Sequence, residues 1–238
     1  LIINFAHRGS LTEAPENSLP AIKKAIEHGA KAIELDVQLS KDNHLVVIHD
    51  HHFKRFNPSI NGLVRDYTLA EIKNIDIGSS FSKEFEGTSL TTLEEVLEIC
   101  PEDTLLNIEI KNIPVIYEGI EEILVNCLRD HNRFQNIIIS SFDHHALQKV
   151  QALEPSLKLG LLIYYRMVNP WEYAKNCGLN LTSVHPLQTW TDQQFIEEFH
   201  NLGLKVYPFT VNEEKRYKEL IDLGVDGVFS NTPSIFTP

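Results

Sequence analysis

The fold is decided by residues 30–50, AKAIELDVQLSKDNHLVVIHD. Lys31–Leu39 reads as a strand, Lys41–Asn43 as a short turn, and Leu45–Ile48 as a second apolar run that ends at His49-Asp50. Glu34 and Asp36 lie two residues apart inside the first strand. Side chains at that spacing point to one side, so the two acids act as a pair. The same arrangement recurs along the chain. His7-Arg8 follows the run Ile2–Ala6, and Glu109 and Lys111 end Leu105–Ile110. If these strands are parallel, their ends meet at one mouth.

Working outward, strand and helix patterns alternate. The loop Gly9–Glu16 leads to a helix cap at Asn17-Ser18, Pro20 fits the first turn, and Gly29 ends the helix. Helices are expected at Thr92–Ile99, Val115–Arg129, Asp143–Leu153, Pro170–Cys177, Asp192–Leu202 and Glu213–Leu223. Further strands are expected at Thr104–Ile110, Ile137–Ser140, Lys158–Ile163, Leu181–Val184, Leu204–Phe209 and Gly224–Ser230. With Leu45–Ile48 counted as an extension of the second strand, there are about eight strand–helix units. That is the number a TIM (β/α)8 barrel needs. The rival, a doubly wound open sheet, lacks its Gly-rich phosphate fingerprint after the first strand. Residues 50–90 break the rhythm with Pro58, Asn61-Gly62, a short helix pattern at Leu69–Ile75, Gly78 and Gly87. This stretch is too long for an ordinary loop and reads as a small insertion near the mouth.

The 238 residues fit one large domain. A net charge of −12 argues against sequence-independent nucleic-acid binding, which needs clustered positive charge. No apolar run approaches the roughly 18 residues of a membrane span. Cys100, Cys127 and Cys177 are odd in number and widely spaced, which suits buried thiols better than a disulfide framework. A cytoplasmic location is the expectation, with secretion left open because the chain starts at Leu1 without an initiator Met. Nothing in the helix patterns names an oligomeric state.

Three carboxylates, two histidines, an arginine and a lysine at one mouth suit a divalent metal beside a phosphate. Strand-end acids often only cap the next helix. A second acid at i+2 within an apolar strand changes the argument, because burying Glu34-x-Asp36 without a cation is costly. Glu34, Asp36 and Glu109 are therefore the metal candidates, and hard oxygen donors favour Mg²⁺ or Ca²⁺ over Zn²⁺. His7 and His49 are the acid–base candidates, since both end apolar runs at the active face. Arg8 and Lys111 are the phosphate candidates. Glu16 is expected at the entrance, touching the metal or Arg8. Phe209, Trp190, Tyr164 and Tyr165 are candidates for an apolar wall. His185 is a weaker pocket-lining candidate. His51, His52, His144 and His145 resemble metal tracts but read better as solvated or capping residues, with Asp143 as a helix cap.

His7-Arg8-Gly9, Glu16-Asn17, Glu34-x-Asp36, His49-Asp50, Glu109-x-Lys111, Thr92–Leu97, Thr210-Val211-Asn212 and Gly224–Gly227 together resemble the signature of the glycerophosphodiester phosphodiesterase family. The resemblance implies a TIM barrel with a small subdomain inserted between strand 2 and helix 2. It implies hydrolysis of glycerophosphodiesters to sn-glycerol 3-phosphate and an alcohol. It gives Glu34, Asp36 and Glu109 as metal ligands, His7 and His49 as the acid–base pair, and Arg8 and Lys111 as phosphate binders. Two positions depart from the family pattern. Phe209 stands where Trp is usual, and Ser230-Asn231 where Thr-Asp is usual; the second change is expected to affect local hydrogen bonding more than chemistry. Two other functions fit the same residues: a lysophospholipase D or transferase that releases a cyclic phosphate, and a non-catalytic binding module. A zinc amidohydrolase is disfavoured, because the first strand lacks an H-x-H pair.

Overall fold

The computed structural model describes residues 2–232. Its strands are β1 (Ile3–His7), β2 (Ala32–Leu39), β3 (Leu45–Val47), β4 (Thr91–Thr92), β5 (Leu105–Ile110), β6 (Ile137–Ser141), β7 (Lys158–Ile163), β8 (Leu181–Pro186), β9 (Lys205–Val206) and β10 (Gly227–Ser230). Eight of them follow one parallel path, β10-β1-β2-β5-β6-β7-β8-β9. Backbone bonds from Asp226 to Val206, from Phe229 to Pro208 and from Val211 to Phe229 join the two ends of that path and close the TIM barrel. The β9 segment is shorter than the run Leu204–Phe209, because Pro208 has no N–H to offer a ladder.

The helices are α1 (Leu19–Glu27), α2 (Leu69–Ile72), α3 (Leu93–Ile99), α4 (Ile120–Asp130), α5 (His144–Leu153), α6 (Pro170–Asn176), α7 (Gln193–Asn201) and α8 (Glu214–Leu223). The Ser18 hydroxyl accepts from Ala21 N at the start of α1, and the Asp143 carboxylate accepts from His145 N at the start of α5. Each is a side chain that supplies an acceptor the helix end lacks. The helix α4 starts later than its apolar pattern, which begins at Val115. Asn112 Oδ1 accepts from Tyr117 N at 2.7 Å and holds 112–117 as a loop, and Gly119 sits in the left-handed region at the helix entrance. Ile22, Leu124, Leu147, Ile196 and Leu220 from these helices are buried against the outer face of the strands. Cys100 and Cys127 are buried and Cys177 is half-buried, all three as free thiols.

Leu45–Val47 is not an extension of β2. It turns back and pairs antiparallel with Val37–Leu39, the end of β2, of which Gln38 and Leu39 run beyond its ladder with β5. His49 still reaches the mouth, because β2 overshoots the rim and β3 returns to it; Ile48 N donates to Asp36 O at 3.0 Å. The strand β4 pairs with β3 outside the barrel path. Between them, residues 50–90 pack with Val46 and Ile48 in a separate apolar cluster, in which Phe53, Val64, Ile72, Ile77 and Leu90 are buried. The helix α2 ends at Ile72, three residues short of the pattern Leu69–Ile75.

The barrel interior is filled by aromatic rings. Phe5 stacks on Phe229 at 4.5 Å and meets Tyr207 edge-on at 5.2 Å. His185 is fully buried among them, 5.0 Å from the Phe229 ring, so it belongs to the core and does not line the mouth. Gly160 makes room for it, since a Cβ there would be driven into the imidazole. At Gly227 a Cβ would be driven into the Ile3 carbonyl, which is backbone and cannot rotate away. Gly160→Ala should cost about 1–3 kcal/mol, the usual range for overpacking, and Gly227→Ala should cost more. Paired thermal melts will check both the loss and its order.

Candidate active site

Strand register brings the chemistry level. Ladder pairing sets His7 beside Glu34, and Asp36 beside Glu109. Immediately after β1, Arg8 has φ 58°, a left-handed conformation uncommon for a residue with a side chain. Its N–H donates to both the carbonyl and the carboxylate of Glu34, at 2.9 and 3.0 Å. The following Gly9 presses against α1, where a Cβ would lie 2.7 Å from the Ala21 carbonyl carbon. This tight turn directs the Arg8 guanidinium between two acids. Nη1 donates to Glu16 Oε1 at 3.0 Å, and Nε lies 3.3 Å from Asp36 Oδ2.

One pocket of about 150 Å³ is lined by His7, Arg8, Glu34, His49, Glu109, Lys111 and Phe209, with Asn107, Phe142, Leu162, Thr210 and Phe229 completing the wall. Asp36 lies just behind that lining and is 1% exposed. Carboxylate oxygens of Glu34, Asp36 and Glu109 lie within 4.8 Å of one another. Lys111 Nζ donates to Glu109 Oε1 at 2.9 Å and lies 3.8 Å from Asp36 Oδ1. Phe209 meets Phe142 edge-on at 5.8 Å.

Burial and the two neighbouring carboxylates raise the Glu34 pKa well above its ordinary value. Burial also raises Glu109, against the pull of Lys111. At Asp36 burial acts upward as well, but Arg8, Lys111 and His49 outweigh it and hold the carboxyl below its usual range. Three buried acids thus face two fixed cations, and Asp36 Oδ1 is buried without a hydrogen-bond partner. An orphaned carboxylate oxygen among close acidic oxygens fits a hard divalent cation. Burial, reinforced by Arg8, lowers the His7 pKa to about 3.

Several positioning groups were not legible as such. His7 Nδ1 is 2.7 Å from Asn231 Oδ1, so the residue that departs from the family pattern bonds directly to a candidate catalytic ring. Asn17, read as part of a helix cap, turns inward and donates to Asp36 Oδ2 at 2.9 Å. Gln38 Nε2 donates to the backbone carbonyls around His49, at 2.8 Å to Ile48 O and 2.9 Å to His49 O, while Gln38 Oε1 accepts from the Tyr117 hydroxyl. Only its place inside β2, facing the returning β3, could have signalled this.

Tyr164, Tyr165 and Trp190 lie outside this pocket. The two tyrosines join Ile113, Phe142, Leu162 and Met167 in an adjoining apolar groove of about 490 Å³. Trp190 borders a separate cleft and donates to Tyr164 O at 3.2 Å. His51 and His144 are neither freely solvated nor a metal tract. His51 Nε2 bonds to Ile113 O at 3.0 Å and His144 Nε2 to Leu162 O at 3.0 Å, and both are half-buried.

Comparison with known proteins bears on the sequence and the fold. Residues 7–235 match the model of the glycerophosphoryl diester phosphodiesterase family. A glycerophosphodiester phosphodiesterase of Caldanaerobacter subterraneus subsp. tengcongensis is 42% identical over 230 residues, covering 96% of this chain and 93% of that protein. One of Bacillus altitudinis is 36% identical, covering 96% and 94%. An Oleispira antarctica phosphodiesterase, solved in complex with the product sn-glycerol-3-phosphate, superposes with a TM-score of 0.89 at 33% identity, covering 99% of this chain and 95% of that one.

Two outcomes are expected at the site. Glu34→Ala should abolish binding of Mg²⁺ or Ca²⁺ in a calorimetric titration, and unchanged affinity would count against the ligand set. Asn231→Leu should release the His7 ring, so that ¹⁵N NMR shows one His7 tautomer in the parent protein and a mixture in the variant.

Proposed function

The chain belongs to the glycerophosphoryl diester phosphodiesterase family, and from that premise we propose that it hydrolyses glycerophosphodiesters to sn-glycerol 3-phosphate and an alcohol, using one divalent cation and the histidines His7 and His49. The observation that carries the reading is the single pocket in which both histidines, Arg8 and Lys111 face the acids of β2 and β5. We take the whole chain as one catalytic domain, with residues 50–90 as its insertion.

Arg8 and Lys111 bind the phosphoryl oxygens, the first as a planar fork and the second as a point charge. Glu34, Asp36 and Glu109 hold the cation, Mg²⁺ or Ca²⁺, which supplies Lewis-acid polarisation of the phosphoryl group when bound. One histidine takes the proton of the nucleophile as its oxygen bonds to phosphorus. The other gives a proton to the leaving alcohol as the second P–O bond breaks. When the nucleophile is the glycerol hydroxyl next to the phosphodiester, the first product is a cyclic phosphate that water opens. Such an attack gains from proximity. Phosphorus NMR of slowed variants should then show the cyclic species, and its absence removes the two-step route in favour of direct attack by water.

A second reading, turnover of lysophospholipids, is favoured by the apolar groove, which shares Phe142 and Leu162 with the catalytic pocket. Among the described residues no helix is long and apolar enough to cross a membrane.

Release of sn-glycerol 3-phosphate from glycerophosphocholine should stop with EDTA and return with Mg²⁺ or Ca²⁺. His7→Ala or His49→Ala should lower kcat by about 10²–10⁴-fold, and near-normal turnover removes that residue from the role. Lysophosphatidylcholine turned over faster than glycerophosphocholine would establish the second reading over the first.

A further inference from the structure

We propose that Arg55, carried by the inserted segment, is a positioning residue that orients both His49 and Arg8. The inference rests on the roles given above to those two residues.

Its geometry is that of a fork between two acids. Arg55 Nε donates to Asp50 Oδ2 at 3.1 Å while Nη2 lies 3.0 Å from Asp50 Oδ1, and Nη1 donates to Glu16 Oε2 at 2.7 Å. Each acid passes the constraint inward through its other contact. Asp50 Oδ1 is 2.8 Å from His49 Nδ1, and Glu16 Oε1 accepts from Arg8 Nη1 at 3.0 Å. With Asp50 held as a carboxylate, His49 keeps its proton on Nδ1 and offers Nε2 to the reaction. With Glu16 held, the Arg8 guanidinium keeps its plane beside Asp36. Only a guanidinium has enough donors in one plane to hold both carboxylates together.

The segment is built to keep Arg55 there. Phe53, two residues earlier, is fully buried in the insertion's apolar cluster, and the Phe56 ring lies 5.6 Å from the guanidinium carbon. The Arg55 side chain is 39% exposed, so each ion pair by itself adds little stability. Its contribution is direction: two functional groups from separate strands are fixed by one side chain.

Arg55→Ala removes a partly exposed side chain and leaves the apolar cluster intact, so the variant should fold. With glycerophosphocholine as the probe, kcat should fall roughly tenfold or more, and KM should rise through the loosened Arg8. Arg55→Lys, which keeps the charge without the fork, should recover only part of this. Arg55→Ala added to Asp50→Asn should cost little more in kcat than Asp50→Asn alone, because both break one relay. ¹⁵N NMR should show a single His49 tautomer in the parent protein and a mixture in Arg55→Ala. Unchanged kcat and KM in Arg55→Ala, full additivity with Asp50→Asn, or an unaltered tautomer would each overturn the proposal. The NMR readout needs no turnover, so an inactive parent protein counts against the assigned reaction while the clamp is still decided by the tautomer.

Discussion

Negative charge concentrated at one buried rim is the constraint on which the rest of the structure depends. Glu34, Asp36 and Glu109 are brought together by the registers of β2 and β5, where they have little access to water. Carboxylates so placed are tolerated only when cations and hydrogen-bond donors surround them. Arg8, Lys111 and Asn17 answer part of that demand. The left-handed turn at Arg8 follows from the same need, since it aims both the backbone N–H and the guanidinium at the acids of β2. What these groups leave unanswered, with Asp36 Oδ1 still without a hydrogen-bond partner, is the demand that a hard divalent cation fits.

The two histidines are supported unequally. His49 leans on a carboxylate that is itself held by an arginine, and its backbone is pinned by Gln38 from the neighbouring strand. His7 is buried more deeply and leans on a neutral amide, Asn231. The environments therefore differ in charge as well as in exposure.

The parts of the fold that repeat with a short period were legible in the sequence. Glu34-x-Asp36 and Glu109-x-Lys111 declared a shared face through strand alternation, and Ser18 and Asp143 declared helix starts through capping chemistry. His49 was placed at the mouth from the premise that its strand extended β2, whereas it arrives there on a returning antiparallel strand. Apolar periodicity does not distinguish the two directions. The partners of Asn231, Asn17, Gln38 and Arg55 were opaque for a different reason. They are set by how loops and strands meet in space, across 224 residues for His7 and Asn231 but only five for Asp50 and Arg55, and no local periodicity encodes such contacts. The start of α4 was misplaced because a single side chain, Asn112, outweighs the helical pattern of the residues after it.

The hairpin formed by β2 and β3 has one more consequence. The barrel ladder closes without β3 or β4, and the segment between them packs with Val46 and Ile48 in a cluster separate from the main core. Such a segment can open as a separate cooperative unit while the barrel endures. Because His49-Asp50 lies at the junction of the two, an opening confined to the smaller unit would draw His49 away from the mouth while the barrel stays folded.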